Sequence, residues 1–434
     1  MDMAIYSTGD RVQVAQKNPV AKTYIGVVSK DSTSKVLMLR LDNGYSLGVK
    51  LGKGMSIKVI GKQELKKSVK VNAKQDKNMP KISIVSTGGT ISSSIDYKTG
   101  AVSPITKPEE LLAKIPELTK IVYVTNVAQP FAVFSEDMGH KEWQKLAKEV
   151  ASELNKGNEG VIVTHGTDTL HYTAAALSFM LTNLSKPVAV VGGQRSSDRG
   201  SFDGALNLIC GAHFAKSNVA EVAVVMHGTT EDNFCLVNRG TKVRKLHSSR
   251  RDAFRPVNEM PIGRMWKDGT FEVLNKDYKK RSTGKVIADV DFESKVALLK
   301  FYPGADPDLL KYFVKKGYKG IIIEAAGLGQ VATNPIDKNK SWLPAIKEAT
   351  KKKVFIGFTS QAIYGRVDPF VYSNARLLKE AGAVFLEDML SETALVKLGW
   401  VLAHSKNHTE AEDLMLRNIA GEISHKIEPR GFLY

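Results

Sequence analysis

A chain of 434 residues that is 43% hydrophobic and 25% charged has ordinary globular composition and length for two or three domains, which excludes a disordered or fibrous protein. Its 62 basic against 45 acidic residues leave a net charge of +17, which suits either a polyanionic partner or a solvated, lysine-rich thermophilic surface. Cys210 and Cys235 have no paired Cys/His spacing and read as buried reduced thiols. No run of about 18 apolar residues offers a membrane span, and the first residues lack the basic head and apolar core of a signal peptide, so a cytoplasmic protein is expected.

Residues 1–60 read as a small antiparallel β-barrel of SH3-like size. Runs at 11–14, 24–28, 36–41, 45–51 and 55–60 are strand-like, and Asp42-Asn43-Gly44 between two of them is a hairpin signal. Residues 61–80 change character: Lys62, Lys66, Lys67, Lys70, Lys74 and Lys77 face only Glu64 and Asp76. This is a basic linker that is either simply solvated or in contact with a phosphate backbone.

From residue 82 strands and helices alternate. Residues 142–156 form the clearest helix, with Trp143, Leu146, Ala147, Val150, Ala151 and Leu154 as a core stripe and Gly157 placed to end it. Strand-like runs at 160–163, 187–191 and 222–226 flank helical stretches at 169–182 and 204–215, a βαβ series that implies a mainly parallel sheet. Residues 275–295 are polar and irregular. A second series follows, with strands at 296–299, 320–323, 354–358 and 383–386. Its helices are at 307–315 (Asp306 as N-cap), 342–351, 371–380, 392–404 and 410–419. The expected organisation is a barrel (1–60), a linker (61–80), a large α/β domain (81–274), a linker (275–295) and a small C-terminal α/β domain (296–434).

Two glycine turns carry the chemistry. Ile82-Ser83-Ile84-Val85 runs into Thr87-Gly88-Gly89-Thr90, and Val161-Ile162-Val163 runs into His165-Gly166-Thr167-Asp168-Thr169. A buried strand that ends in such a turn directs backbone N–H groups at one spot and presents a hydroxyl with little cover. In a parallel sheet both turns share the crevice at the carboxyl ends of the strands. Arg244-Lys245-Leu246-His247-Ser248-Ser249-Arg250-Arg251-Asp252 brings cations from a loop after the strand at 222–226. A threonine hydroxyl needs a base. A lysine can be that base when burial disfavours its charged form; a neighbouring Asp opposes that shift yet orients the amine. A Thr–Lys–Asp unit is thus a relay for attack on a carboxamide, with N–H groups of the Gly89 and Gly166 turns facing the oxyanion, each worth about 3 kcal/mol. Thr87 reads as a turn residue, and His165 and His171 as structural. Arg244, Arg250 and Arg251 are a solvated cluster, an anion site or a brace for Lys245; the sequence leaves all three open.

These turns, together with Gly192-Gly193-Gln194-Arg195-Ser196-Ser197-Asp198 and the stretch from Arg244 to Phe254, resemble the bacterial-type L-asparaginases over residues 82–434. More closely, with the N-terminal barrel included, the chain resembles the D-type subunit family of archaeal glutamyl-tRNA(Gln) amidotransferases. Tyr364-Gly365-Arg366-Val367 and Asp388-Met389-Leu390-Ser391-Glu392-Thr393-Ala394 are similar to C-domain motifs of the same superfamily. The resemblance implies an asparaginase-like two-domain core with Thr90 as nucleophile, and Thr167, Asp168 and Lys245 as the second catalytic set. It places Ser135 and Glu136 on the substrate's α-carboxylate and α-amine, and Tyr97 on a mobile loop over the site. Many relatives carry an uncharged amide where Glu136 stands; a carboxylate suits an ammonium well. The implied function is ammonia release from glutamine or asparagine through an acyl-threonine. The ammonia would go to an E-type partner that binds Glu-tRNA(Gln) and holds ATP and Mg²⁺. No cofactor or metal is expected in this chain, and a homodimer is. A free-standing asparaginase or glutaminase and a non-catalytic scaffold are the alternatives. The preferred donor and the first-attacking threonine stay open.

Overall fold

The computed structural model describes residues 6–17, 21–42, 46–52, 54–62, 74–88, 93–95, 102–104, 107–195 and 202–434. Period-2 alternation builds the first sheet from β1 (Asp10–Gln16), β2 (Lys22–Val28), β3 (Val36–Leu41), β4 (Ser46–Lys50) and β5 (Met55–Lys62). These pair antiparallel in the order β4-β3-β2-β1-β5. Val12, Val14, Val28, Leu37, Leu39 and Val49 form a core of their own, and a bulge between Arg11 and Val12 bends β1 against β5. Asn43 and Gly44 of the expected turn lie outside the described residues, but β3 and β4 pair from Val36↔Lys50 to Arg40↔Ser46, as a hairpin there requires. Residues 63–73 of the basic linker are likewise outside them. At its far end the Gln75 amide donates to the Val124 carbonyl (3.3 Å) and accepts from the Val124 N–H (2.7 Å).

The large layer begins with β6 (Lys81–Ser86). The pair β7 (Ser93–Ile95) and β8 (Val102–Pro104), α1 (Pro108–Lys114), β9 (Tyr123–Ala128) and α2 (His140–Asn155) follow. Then come β10 (Gly160–Thr164), α3 (Leu170–Met180), β11 (Leu181–Thr182), β12 (Val188–Val191), α4 (Gly204–Ala215) and β13 (Val222–His227). Strands β9, β6, β10, β12 and β13 are parallel neighbours. Helices cover both faces, so β10, β12 and β13 are buried at every residue, which is why they read as unbroken apolar runs. The Trp143 stripe packs into the core as expected.

The sheet does not stop at β13. Next come β14 (Phe234–Arg239), β15 (Val243–Lys245), β16 (Phe254–Pro256), β17 (Gly263–Trp266) and β18 (Phe271–Val273). Of these, β14, β17 and β18 add antiparallel, giving β18-β17-β14-β13-β12-β10-β6-β9. The mainly parallel sheet expected from the sequence is therefore mixed. β15 and β16 pair as a separate hairpin. Lys245 thus ends a short strand beyond β14, not a loop directly after β13 as the sequence suggests: the chain first turns back antiparallel to β13 as β14.

β19 (Ile287–Ala288) pairs with β11. Then come β20 (Val296–Lys300), α5 (Asp308–Lys315), β21 (Gly320–Ala325), α6 (Leu343–Lys351), β22 (Phe355–Ser360), α7 (Ser373–Glu380), β23 (Val384–Phe385), α8 (Ser391–His404) and α9 (His408–Leu416). β20-β21-β22-β23 is a parallel sheet. The Asp306 carboxylate takes the Asp308 N–H at 2.9 Å, the capping role read from sequence, although the cap position itself is Pro307. α9 starts earlier than expected because the Asn407 side chain accepts the Glu410 N–H and fixes the start there.

The two α/β layers share one core. Ala174 and Leu177 of α3 lie in the same apolar cluster as Ala394, Leu398 and Val401 of α8. Fully buried ion pairs, Lys242–Asp388 and Lys397–Glu422, each 2.5 Å, stand in this region. Among the described residues no helix is long and apolar enough to cross a membrane.

Candidate active site

Register brings three turns side by side. Ser86 pairs with Thr164, and Thr164 with Val191, so the segments after β6, β10 and β12 leave the sheet at one edge. That edge is the carboxyl end of the parallel strands, the standard crevice of an open α/β sheet.

The first turn is braced by Thr87. Its N–H and hydroxyl both donate to the Thr164 carbonyl, at 3.1 and 3.2 Å, so Thr87 is the turn residue the sequence suggests. Gly88 follows at φ +102, with Val133 backbone atoms 3.0–3.1 Å from where a Cβ would lie. Thr90, Gly89 and Tyr97 lie outside the described residues.

The second turn carries the cluster. Lys245 Nζ donates to Thr167 Oγ1 at 2.9 Å and to Asp168 Oδ1 at 2.7 Å. The Lys245 side chain is 8% exposed and that of Asp168 is 68% exposed, so a sheltered amine links a buried hydroxyl to a carboxylate facing water. The amine reaches its partners from β15, and residues 77 and 78 positions away become neighbours.

Ser135 is buried under the same turn. A Cβ on Gly166 would sit 2.9 Å from the Ser135 Cβ and 3.1 Å from its Oγ, so only glycine allows the serine this close. Thr169 Oγ1 donates to the Ser135 carbonyl at 2.5 Å. The neighbouring Glu136 is exposed and accepts from Ser135 Oγ at 3.3 Å. Of the residues singled out from sequence, Thr167, Asp168 and Lys245 are in direct contact, and Ser135 and Glu136 stand beside them.

Both histidines are structural. His165 bonds through Nδ1 to the Gly166 carbonyl (2.6 Å) and through Nε2 to Thr173 Oγ1 (2.8 Å). Burial pushes its pKa down to about 4. His171 is pushed down to about 3, first by burial and then by the charges of Arg244 and Lys245. Neither is a cation near neutral pH.

Arg244 is a brace. It ion-pairs with Glu392 at 2.9 Å and ties the strand that carries Lys245 to α8. Burial raises the Glu392 carboxyl, and Arg244 opposes that shift. Arg250 and Arg255 both pair with Asp252, which closes the hairpin. The motif from Asp388 to Ala394 is thereby explained by contacts: Asp388 holds Lys242 and Glu392 holds Arg244. In the other C-terminal motif, the Gly365 N–H donates to Asn258 Oδ1.

Sequence reasoning misses the third turn's role. Gln194 Oε1 accepts from Thr167 Oγ1 at 3.3 Å. The Gln194 and Arg195 N–H groups both end on buried Asp203, at 3.0 and 2.8 Å. A Cβ on Gly192 would lie 2.9 Å from Thr167 Cγ2. The Gly192-Gly193 pair is the available signal: in the sequence it stands out as a family mark, and in the fold it is a packing requirement.

This fold, with a Thr–Asp–Lys cluster at the strand ends, defines an asparaginase-like α/β protein. Residues 81–279 match the family described as asparaginase, N-terminal, and residues 295–415 match the glutaminase/asparaginase C-terminal domain. The thermostable L-asparaginase of Thermococcus kodakarensis superposes with a TM-score of 0.68 at 28% identity, covering 80% of this chain and all of that one. The D-type subunit of the glutamyl-tRNA(Gln) amidotransferase of Pyrococcus furiosus is 49% identical over 98% of this chain and 97% of its own, and that of Pyrococcus abyssi is 49% identical over 96% and 95%. The chain belongs to the D-type subunit family of glutamyl-tRNA(Gln) amidotransferases.

Proposed function

We propose that this chain is the amidohydrolase subunit of a tRNA-dependent amidotransferase: it releases ammonia from the side-chain amide of glutamine or asparagine, and the ammonia serves to convert Glu-tRNA(Gln) to Gln-tRNA(Gln) on a partner subunit. The observation that carries the reading is Lys245 Nζ within 2.9 Å of Thr167 Oγ1 and 2.7 Å of Asp168 Oδ1, at the strand ends of an asparaginase-type layer. The near full-length similarity to D-type subunits of glutamyl-tRNA(Gln) amidotransferases supports the tRNA-linked assignment.

In this reading a threonine oxygen attacks the carboxamide carbon and its proton passes to the lysine amine. The C–N bond breaks as that proton moves to the departing nitrogen, leaving ammonia and a threonine ester. Water then cleaves the ester and frees the acid and the hydroxyl. Thr90 is assigned as nucleophile on family resemblance. Thr167, Asp168 and Lys245 form the proton-handling set, and the Gly89 and Gly166 turns supply the oxyanion donors. Ser135, Glu136 and Tyr97 hold the substrate's α-groups and cover it. The partner is the E-type component, which binds the tRNA and holds ATP and Mg²⁺, and this chain pairs as a homodimer.

The test is ammonia release from glutamine by the purified chain, first alone and then with the tRNA-binding partner, Glu-tRNA(Gln) and ATP. A low rate that rises strongly in the full mixture is expected. A rate that ignores the additions would overturn coupling, and no rate in either setting would overturn amide hydrolysis.

A further inference from the structure

A chain of polar contacts runs beneath the candidate site and ends at the surface. Asn207 of α4 is wholly buried, and its Nδ2 donates to the Gly192 carbonyl at 2.8 Å. A carbonyl only accepts, so the amide orientation is fixed and Asn207 Oδ1 faces His227 Nδ1 at 2.6 Å. His227, also wholly buried, reaches Asp232 Oδ1 through Nε2 at 3.0 Å. The same Asp232 oxygen takes Arg251 at 3.3 Å.

The ends of this chain matter. Gly192 packs against Thr167, since a Cβ there would meet Thr167 Cγ2 at 2.9 Å. Arg251 belongs to the hairpin that carries Lys245. One carboxylate, Asp232, therefore ties the Thr167 side of the cluster to the Lys245 side by a path that avoids the Lys245–Asp168 contact.

We infer that the Asp232–His227–Asn207 chain is a positioning unit for the amide hydrolysis proposed above, holding the Gly192 turn under Thr167 and the Lys245 hairpin in mutual register. The inference rests on that reading of the reaction. None of the three residues touches the Thr167–Lys245 pair directly. Their effect is on geometry, where a displacement of about 1 Å can cost about 100-fold in rate.

The experiment uses the full chain with its partner. Asp232→Ala is the lead variant because the Asp232 side chain is 57% exposed, so its removal opens no buried cavity; Asn207→Leu probes the buried end. Asp232→Ala is expected to lower kcat for glutamine hydrolysis about 10- to 100-fold with little change in KM. Asp232→Glu should recover part of the loss. The Asp232→Ala/Arg251→Met double variant should lose less than the product of the two single losses. Hydrogen exchange should quicken in residues 190–195 and 244–252 and stay unchanged in α2. Wild-type kcat in Asp232→Ala, fully multiplicative losses, or exchange unchanged in both segments would overturn the inference. A wild-type chain that releases no ammonia would instead overturn amide hydrolysis, and the exchange measurement would still decide whether Asp232 ties the two segments.

Discussion

Replacing Lys245 by Met separates stability from chemistry. The substitution keeps the aliphatic stem, so a side chain that is 8% exposed stays packed and only the amine is removed. The partners left behind are undemanding. Asp168 is 68% exposed and hydrates freely, and Thr167 Oγ1 retains Gln194 Oε1 at 3.3 Å. An ion pair with one hydrated partner is worth about 1 kcal/mol or less, so the unfolding midpoint should fall by no more than a few degrees. Loss of a positioned proton acceptor costs about 100- to 10,000-fold in rate, or about 3 to 5 kcal/mol of transition-state stabilisation. The assay is ammonia release from glutamine in the complete mixture, alongside thermal unfolding of the same preparation. A variant that unfolds like wild type and retains a rate within tenfold of it would refute the assignment of Lys245 to proton transfer. Collapse of the fold would refute the packing argument.

Thr90→Val should lower ammonia release at least about a thousandfold, roughly 4 kcal/mol, in the same assay. Gly166→Ala drives a methyl to 2.9 Å from the Ser135 Cβ, so Ser135 must move by a few tenths of an ångström; KM for glutamine should rise about tenfold or more while kcat changes less, and an unchanged KM would remove Ser135 from substrate binding. Asp388→Leu strands a buried Lys242 charge and should destabilise by about 3 to 5 kcal/mol in urea unfolding, whereas Lys242→Met/Asp388→Leu together should regain most of that. His165 has its folded pKa depressed from 6.5 to about 4 by burial, so its contribution is fully present above about pH 6.5 and is lost as pH falls towards 4. His165→Asn should flatten the stability profile in that window; an equally steep profile would place the acid sensitivity elsewhere.

The strand-then-glycine-turn signature is enough to locate the second turn, because a parallel strand covered on both faces must be apolar throughout and its exit must be tight. The expected bounds of α4 are those the structure gives, and those of α2 and α3 agree to within two residues at each end, since α2 carries a helical apolar stripe and α3 and α4 are long apolar stretches between buried strands. Thr87 is separable from Thr90 and Thr167 by its reading as a turn residue. Other features are invisible locally. β9 buries Val124 and Val127, three positions apart and off the two-residue strand period, and β17 and β18 are three or four residues long, too short for periodicity to register. Arg244 has three open readings until Glu392, far along the chain on α8, is seen to meet it. Asn207 gives no signal at all, being a polar residue in an apolar helix whose partners, the Gly192 carbonyl and His227, come from other segments.

What the sequence by itself determined is the local grammar of this protein: which runs must be buried, where they must turn, and which residue types capable of amide chemistry stand at those turns. What only the tertiary structure decided is adjacency. Lys245 finds Thr167 and Asp168 because β10 and β12 pair in parallel, the chain returns along β14, and the β15–β16 hairpin then folds back over the strand ends. Those pairings are made by hydrogen bonds between backbones that carry no side-chain code, so no single segment contains the information that joins them.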